Sequence, residues 1–61
     1  MEVAIKACMR ELREVWQIKT TYLKREIILQ YREKAIREKY GVETFMEAEQ
    51  RLKAQKVSRG L

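Results

Sequence analysis

Few side chains in this sequence have the type and spacing that chemistry requires. Cys8 is the single cysteine, and histidine is absent from all 61 residues. Histidine is the most frequent general base in enzymes, and a cysteine nucleophile usually needs an adjacent base. Cys8 also lies among apolar residues, where a free thiol is typical of a small packing residue. We therefore expect no catalytic residue and no enzymatic activity.

Two glutamates are the only candidates for a metal site. Glu26 and Glu33 are seven residues apart on one helical face and could meet across a dimer axis. A di-iron bundle would add a Glu-x-x-His motif, and structural zinc would need nitrogen and sulfur ligands that this chain lacks. We expect these glutamates to form ion pairs, and we expect no metal ion and no cofactor.

A basic helical face is the second candidate chemistry. The net charge is +5, and the excess of cations is concentrated in residues 24–40. Arg25, Arg32 and Lys39 recur every seven residues, so they share one face and could contact nucleic-acid phosphates. The same spacing is typical of a solvated face beside a helix–helix contact. Aromatic residues do not alternate with these cations as base stacking requires, so nucleic-acid binding is an alternative hypothesis.

The element that must position these residues is a long amphipathic helix. Proline is absent and the first glycine is Gly41, so residues 2–40 contain no strong helix breaker. The weakest point is Thr20–Thr21, where two β-branched residues lower helix propensity. We predict one continuous helix over residues 2–40. A break at Thr20–Thr21, which gives a three-helix bundle, is the alternative.

A second, shorter helix is expected after a turn at Gly41. Glycine just beyond a helix end is a common C-cap. Thr44 and Glu47 match a capping box, which predicts a helix over about residues 44–57. The residues 58–61 are expected to fray. The sequence therefore predicts an all-α helical hairpin in a single domain that spans the chain.

The apolar face of the first helix is wider than its own hairpin can cover. At 100° per residue, the apolar side chains of residues 1–23 occupy about half of the helix circumference. Residues 24–57 form the helical hairpin, in which the second helix packs back along the first and reaches only to about residue 25. A break at Thr20–Thr21 would instead let the chain cover this face itself. With a continuous helix we predict a dimeric helical bundle. Its interface would consist of Ile5, Cys8, Met9, Leu12, Val15, Trp16, Tyr22 and Leu23.

The sequence contains no apolar run long enough for a membrane span or a signal peptide. The longest uninterrupted apolar runs, among them Val3–Ile5 and Ala7–Met9, are only three residues long, whereas a span needs about 20 apolar residues. An amphipathic helix with Trp16 could lie on a membrane surface, but the acids of this segment favour packing against protein. We expect a cytoplasmic protein with a reduced Cys8.

The stretch Glu38-Lys39-Tyr40-Gly41, followed by Phe45 and an acidic helix, resembles small prokaryotic, often archaeal, helical antitoxin components. In those chains a long helix, a Lys-Tyr-Gly turn and a short glutamate-rich helix recur, and the resemblance covers residues 31–52. It implies a dimeric helical protein that wraps and inhibits a toxin enzyme. The basic charge of this chain, and its lack of a recognisable DNA-binding segment, depart from that pattern.

Three hypotheses for function follow, and none of them is enzymatic. The first is a regulatory protein-interaction module of the antitoxin kind, which acts as a homodimer or on a foreign protein partner. The second is a basic helical dimer that binds nucleic acid through Arg25, Arg32 and Lys39. The third is a purely structural homo-oligomer. Nucleic-acid binding should weaken steeply with salt, whereas binding through the face that contains Trp16 should not.

Overall fold

A computed structural model describes residues 2–59, apart from the side chain of Tyr22. Three helices follow one another along the chain: α1 spans Glu2–Trp16, α2 spans Tyr22–Tyr40 and α3 spans Val42–Ala54. No strand occurs within residues 2–59. The all-α prediction is confirmed, and the architecture is the three-helix alternative.

The continuous helix predicted through residue 40 is not formed. The chain leaves the helical conformation at residues 17–21, a segment that includes the Thr20–Thr21 pair. Thr21 has extended backbone angles, with φ −62° and ψ 150°, and α2 begins directly after it. The break needs no glycine, because five residues of non-helical chain are enough to reverse its direction. It allows α2 and α3 to pack on α1, and the apolar surface buried in this way favours the break over continuity.

Arg25 stabilises the connection between α1 and α2. Its guanidinium donates hydrogen bonds to the carbonyl oxygens of Trp16 at 2.9 Å and of Ile18 at 3.0 Å. Carbonyl groups at the C-terminal end of a helix have no partner within the helix. Arg25 therefore supplies donors that the turn itself lacks, and these contacts could not be read from helix propensity.

Gly41 joins α2 directly to α3. Its φ of +93° is rarely adopted by residues that carry a Cβ. Its N–H donates to the carbonyl oxygen of Arg37 at 2.8 Å and so ends α2, while its own carbonyl accepts the N–H of Phe45 at 3.0 Å in the first turn of α3. The predicted helix end at Gly41 is confirmed.

The capping box predicted at Thr44 and Glu47 is wrong. The third helix begins at Val42, and no side-chain hydrogen bond caps its start. Thr44 is buried within the first turn. The reason is that Gly41 already occupies the N-cap position, which leaves no separate residue for that role.

Backbone hydrogen bonds cap the C-terminal end of α3. The helix ends at Ala54, three residues before the predicted Val57. Lys56 has a positive φ of 64° and donates its N–H to the carbonyl oxygen of Lys53 at 3.0 Å, while Val57 donates to Leu52 at 2.9 Å. This is the Schellman pattern. Val57 packs against the core as a consequence.

The core lies where one face of each helix meets the other two. Each helix contacts the other two, and the contact between α1 and α3 is the most extensive. None of the helices described is both long enough and apolar enough to cross a membrane. The buried cluster consists of Cys8, Leu12, Val15, Trp16, Leu29, Ile36, Phe45, Ala48 and Leu52.

Candidate functional site

The α1 residues predicted to form an intermolecular interface lie inside a single chain. The buried ones are Ile5, Cys8, Leu12, Val15 and Trp16. Met9 is half-buried against the same core, Leu23 is 77% exposed, and the Tyr22 side chain lies outside the described part. The break at residues 17–21 is the reason, because α2 and α3 cover the face that a continuous helix would leave open.

The thiol of Cys8 is fully buried in this core. Burial raises the pKa of the Cys8 thiol, and the charge of Glu11 raises it further. The thiolate is the reactive form of cysteine, so a buried thiol with a raised pKa is a poor nucleophile. The packing role predicted for Cys8 is confirmed.

A partly buried polar network connects α1, α2 and the segment that follows α3. The indole N–H of Trp16 donates to Oε2 of Glu33 at 2.7 Å, and Nε of Arg59 donates to the same oxygen at 2.8 Å. Arg59 also donates to the two carboxylate oxygens of Glu26 at 3.0 and 3.1 Å. The ion pairs predicted for Glu26 and Glu33 are confirmed, although their partner lies in the segment expected to fray.

The charges of this network compensate one another. Glu33 is only 9% exposed, and a buried carboxylate is tolerated when it is paired and hydrogen-bonded. The Arg59 guanidinium lowers the pKa of Glu26, while Glu26 and Glu33 raise the pKa of Arg59. Within residues 2–59, no group of three or more histidine, cysteine or acidic side chains is placed to hold a metal ion. The hydrogen bonds of this network hold α1, α2 and the segment after α3 together.

Two of the three cations proposed to contact nucleic acid make contacts within the chain. Arg25 donates to the carbonyl oxygen of Arg59 at 2.6 Å, in addition to its bonds at the end of α1. Nζ of Lys39 lies 3.1 Å from Oε2 of Glu11. Arg32 is exposed. These residues share the sequence spacing of a face, but they do not present three similar charges to solvent.

Glu11 joins the end of α2 to α1. The hydroxyl of Tyr40 donates a hydrogen bond to the carboxylate that also accepts from Lys39. The bond from Tyr40, followed by that from Lys39, lowers the pKa of Glu11. The same contact raises the pKa values of Tyr40 and Lys39. The three residues lock α1 and α2 together near the Gly41 turn.

An exposed apolar row runs along α2 on the side opposite the core. It consists of Leu23, Ile27, Tyr31 and Ala35, and we call it the α2 stripe. Leu23 and Tyr31 are each 77% exposed and Ile27 is 70% exposed. Residues four apart lie on neighbouring turns of one helix side. α2 therefore has two apolar sides. One side packs in the core, and the other is exposed to solvent.

The α2 stripe borders an open groove between α1 and α2. The groove has a volume of about 820 Å³. It extends along both helices, and exposed Glu14 and Arg32 lie beside its apolar lining. The main apolar residues of this lining are Ile18, Ile27, Ile28, Tyr31 and Ala35. An elongated apolar groove with charged edges can accept a helix.

A second groove, between α1 and α3, is basic. It has a volume of about 500 Å³, and its lining includes Lys6, Arg10, Arg13 and Arg51 together with the acid Glu14. The first three lie on successive turns of the exposed side of α1. Arg51 already pairs with two glutamates. The groove therefore has four cations and one acid in its lining.

No protein-family model, no curated protein and no solved structure matches this chain. Its own surfaces are therefore the basis for a proposed function. Sequence reasoning named Leu23 as an interface residue but missed Ile27 and Tyr31. The four-residue spacing of these side chains was the available signal. This signal is hard to recognise, because the core residues Leu29 and Ile36 of the same helix are seven residues apart and suggest a different apolar face.

Proposed function

We propose that this chain is a small non-enzymatic helical module that binds protein through the α2 stripe and the groove beside it. The observation that carries the proposal is the exposure of Leu23, Ile27 and Tyr31 on one side of α2, by 77%, 70% and 77%. Contiguous apolar patches on soluble proteins mark interaction sites. Because the core is complete without these three side chains, their apolar character is not explained by folding.

The energetics of the α2 stripe support a binding role. Complete burial of a leucine or isoleucine side chain stabilises a complex by roughly 1.5–3 kcal/mol before the cost of association. Tyr31 adds a large ring that loses little conformational entropy, and tyrosine is enriched at interfaces. Leu23, Ile27 and Tyr31 are therefore suitable anchors for a partner surface.

The partner we propose is a helix with apolar side chains on one face. The groove follows α1 and α2 over several turns, and a helix in an apolar groove is a common mode of recognition. An antitoxin-like regulatory role is the specific form of this proposal. The stretch that resembles antitoxin components, residues 31–52, includes Tyr31 and Ala35 of the α2 stripe. In this role the bound helix would belong to the regulated protein or to a second copy of the chain.

The proposal can be tested by affinity purification after cross-linking in the source cells, with two matched variants. Ile27→Asp places a charge in the α2 stripe, and Val3→Asp makes a comparable change at a residue of α1 that is 83% exposed. We expect a bound protein to be retained by the wild type and by Val3→Asp and to be lost by Ile27→Asp. Equal retention by all three chains would contradict the proposal.

Nucleic-acid binding is the second candidate function, and the basic groove between α1 and α3 favours it. Lys6, Arg10 and Arg13 lie along one exposed side of α1 and could contact successive phosphates. They replace Arg25 and Lys39 as candidates, because Arg25 donates to three backbone carbonyls and Lys39 pairs with Glu11. Arg13 donates to the side chain of Gln55 at 2.9 Å but keeps further guanidinium donors.

Salt dependence separates this candidate from protein binding. Contact with three phosphates predicts that log K falls with log salt with a slope of roughly −3. We expect a double Lys6→Gln, Arg10→Gln variant to reduce the affinity for a labelled oligonucleotide and its salt slope, measured by fluorescence anisotropy. Lys53→Gln changes a cation on the exposed side of α3 and serves as the control. Unchanged affinity in the double variant would contradict this candidate.

A further inference from the structure

We propose that the occupant of the α2 stripe is a second copy of this chain, which docks with its own α2 antiparallel about a two-fold axis at Tyr31. This inference rests on the proposed function and specifies its partner. It differs from the dimer predicted from the sequence, which used the α1 face that the fold has buried. The reasons are the charge pattern of the helix, the sizes of the paired side chains and the shape of the groove.

The charges beside the α2 stripe are complementary only in the antiparallel arrangement. Lys24 lies seven residues before Tyr31 and Glu38 lies seven residues after it. Both side chains are exposed, and a spacing of seven keeps them within about 20° of Tyr31 on the helix circumference. A two-fold axis at Tyr31 therefore places Lys24 of each copy opposite Glu38 of the other. A parallel pair would place like charges together.

The apolar side chains are complementary about the same axis. Ile27 lies four residues before Tyr31 and Ala35 lies four residues after it. The axis therefore places a large side chain of one copy opposite a small one of the other. Alternation of large and small side chains allows two helices to interdigitate. Each copy repeats this pair, which is the self-complementarity that a two-fold interface requires.

The groove beside the α2 stripe provides space for the second copy. Its volume of about 820 Å³ exceeds what one isoleucine and one tyrosine side chain occupy, so it can accept residues from the edge of the opposing α2. Exposed Glu14 lines the groove on α1. Exposed Arg32 lines the groove on α2, so Glu14 and Arg32 place one acid and one cation at its edges.

A chain of this size also gains from pairing. A domain of about 60 residues buries only about 60% of its unfolded surface, and small domains commonly add disulfides, metal ions or oligomerisation. One cysteine cannot form a disulfide within the chain, and it is fully buried. Burial of the α2 stripe by a second copy would add apolar burial that the single chain lacks.

The test is the association constant of charge-reversed chains, measured by sedimentation equilibrium. Lys24→Glu places glutamate opposite Glu38, and Glu38→Lys places lysine opposite Lys24, so each variant alone should dissociate more readily, by roughly tenfold. An equimolar mixture of the two variants restores both pairs and should recover dimers of nearly wild-type affinity. Lys53→Glu makes the same charge change on α3 and should leave association unchanged.

Each outcome decides between the alternatives. A wild-type chain that stays monomeric at every concentration overturns the second-copy inference. If such a monomer still binds a different protein that Ile27→Asp loses, the proposed function survives without it. A dimer that neither single reversal weakens, or that the mixture fails to restore, overturns the antiparallel register. Should a dimer persist in Tyr31→Asp, with helical content retained by circular dichroism, the α2 stripe is not the dimer interface and the second-copy inference fails. The proposed function is then decided by the Ile27→Asp comparison alone.

Discussion

The indole N–H of Trp16 donates a hydrogen bond of 2.7 Å to the carboxylate of Glu33, and both residues are buried. The bond fixes the last residue of α1 against the middle of α2. Arg59 donates to the same oxygen from beyond α3. The Glu33 carboxylate therefore connects α1, α2 and the segment that follows α3. These contacts on the buried side of α2 fix the orientation of its exposed side.

Removal of this carboxylate should destabilise the chain. Glu33→Ala leaves the Trp16 N–H and the Arg59 guanidinium without their shared acceptor, and an unsatisfied buried donor costs about 1–3 kcal/mol. We expect a loss of that size in the free energy of unfolding, measured by urea denaturation. Glu33→Gln keeps an acceptor oxygen and should lose less.

The exposed Gln50, which lies on α3, provides the control for this series. Gln50→Ala should change stability by no more than about 0.5 kcal/mol. A Glu33→Ala variant as stable as Gln50→Ala would contradict the role assigned to the network.

Acid should destabilise the protein through Glu11. Hydrogen bonds from Tyr40 and Lys39 lower its pKa in the folded chain below the ordinary value of 4.5. A carboxyl group with a lowered pKa contributes stability above its unfolded pKa, and that contribution is lost as pH falls through the folded pKa. Urea denaturation should therefore show a decline below about pH 4.5, and Glu11→Gln should reduce the decline. An identical acid profile in Glu11→Gln would contradict the assignment.

The Gly41 turn should not tolerate a side chain. Its φ of +93° is unfavourable for any residue with a Cβ, although no atom lies within 4 Å of the position that a Cβ would occupy. Gly41→Ala should therefore cost about 1–3 kcal/mol through backbone strain alone. Thermal denaturation of the variant measures this loss.

Lys56 has the backbone conformation that favours glycine but carries a side chain, so replacement by glycine should have the opposite effect. It is a non-glycine residue with a φ of 64°, a conformation that costs residues with a Cβ roughly 1–2 kcal/mol. Lys56→Gly relieves that strain and should leave stability unchanged or raise it by up to about 1 kcal/mol, after the entropy of the unfolded glycine is subtracted. A stabilising Gly41→Ala together with a strongly destabilising Lys56→Gly would contradict both turn assignments.

The sequence predicted those parts of the fold that depend on local signals. The helix end at Gly41 was one, because its cause lies within a few residues. The break at residues 17–21 was only an alternative, because two threonines weaken a helix slightly, while the decisive contributions are burial of the α1 face and the hydrogen bonds of Arg25. Neither is a property of the threonines themselves.

The candidate surface was less predictable for a related reason. Leu23 was named as an interface residue together with Trp16, as if both belonged to one face. Once the chain breaks between them, Trp16 lies in the core and Leu23 lies on the exposed side of α2. Arg59, which was assigned to a fraying tail, binds two glutamates. A sequence pattern predicts which residues share a helix face. Which of these faces is buried depends on how the helices pack against one another.

The central claim is that this chain pairs with a second copy through α2 and not through α1. The most direct measurement is a series of amide NMR spectra of the wild-type chain over a wide range of concentration. We predict that resonances of residues 23–38 shift as concentration rises, with the largest changes near Tyr31, while those of the buried residues Cys8 to Trp16 stay constant. Shifts centred on Cys8 to Trp16, or no shifts at any concentration, would contradict the account.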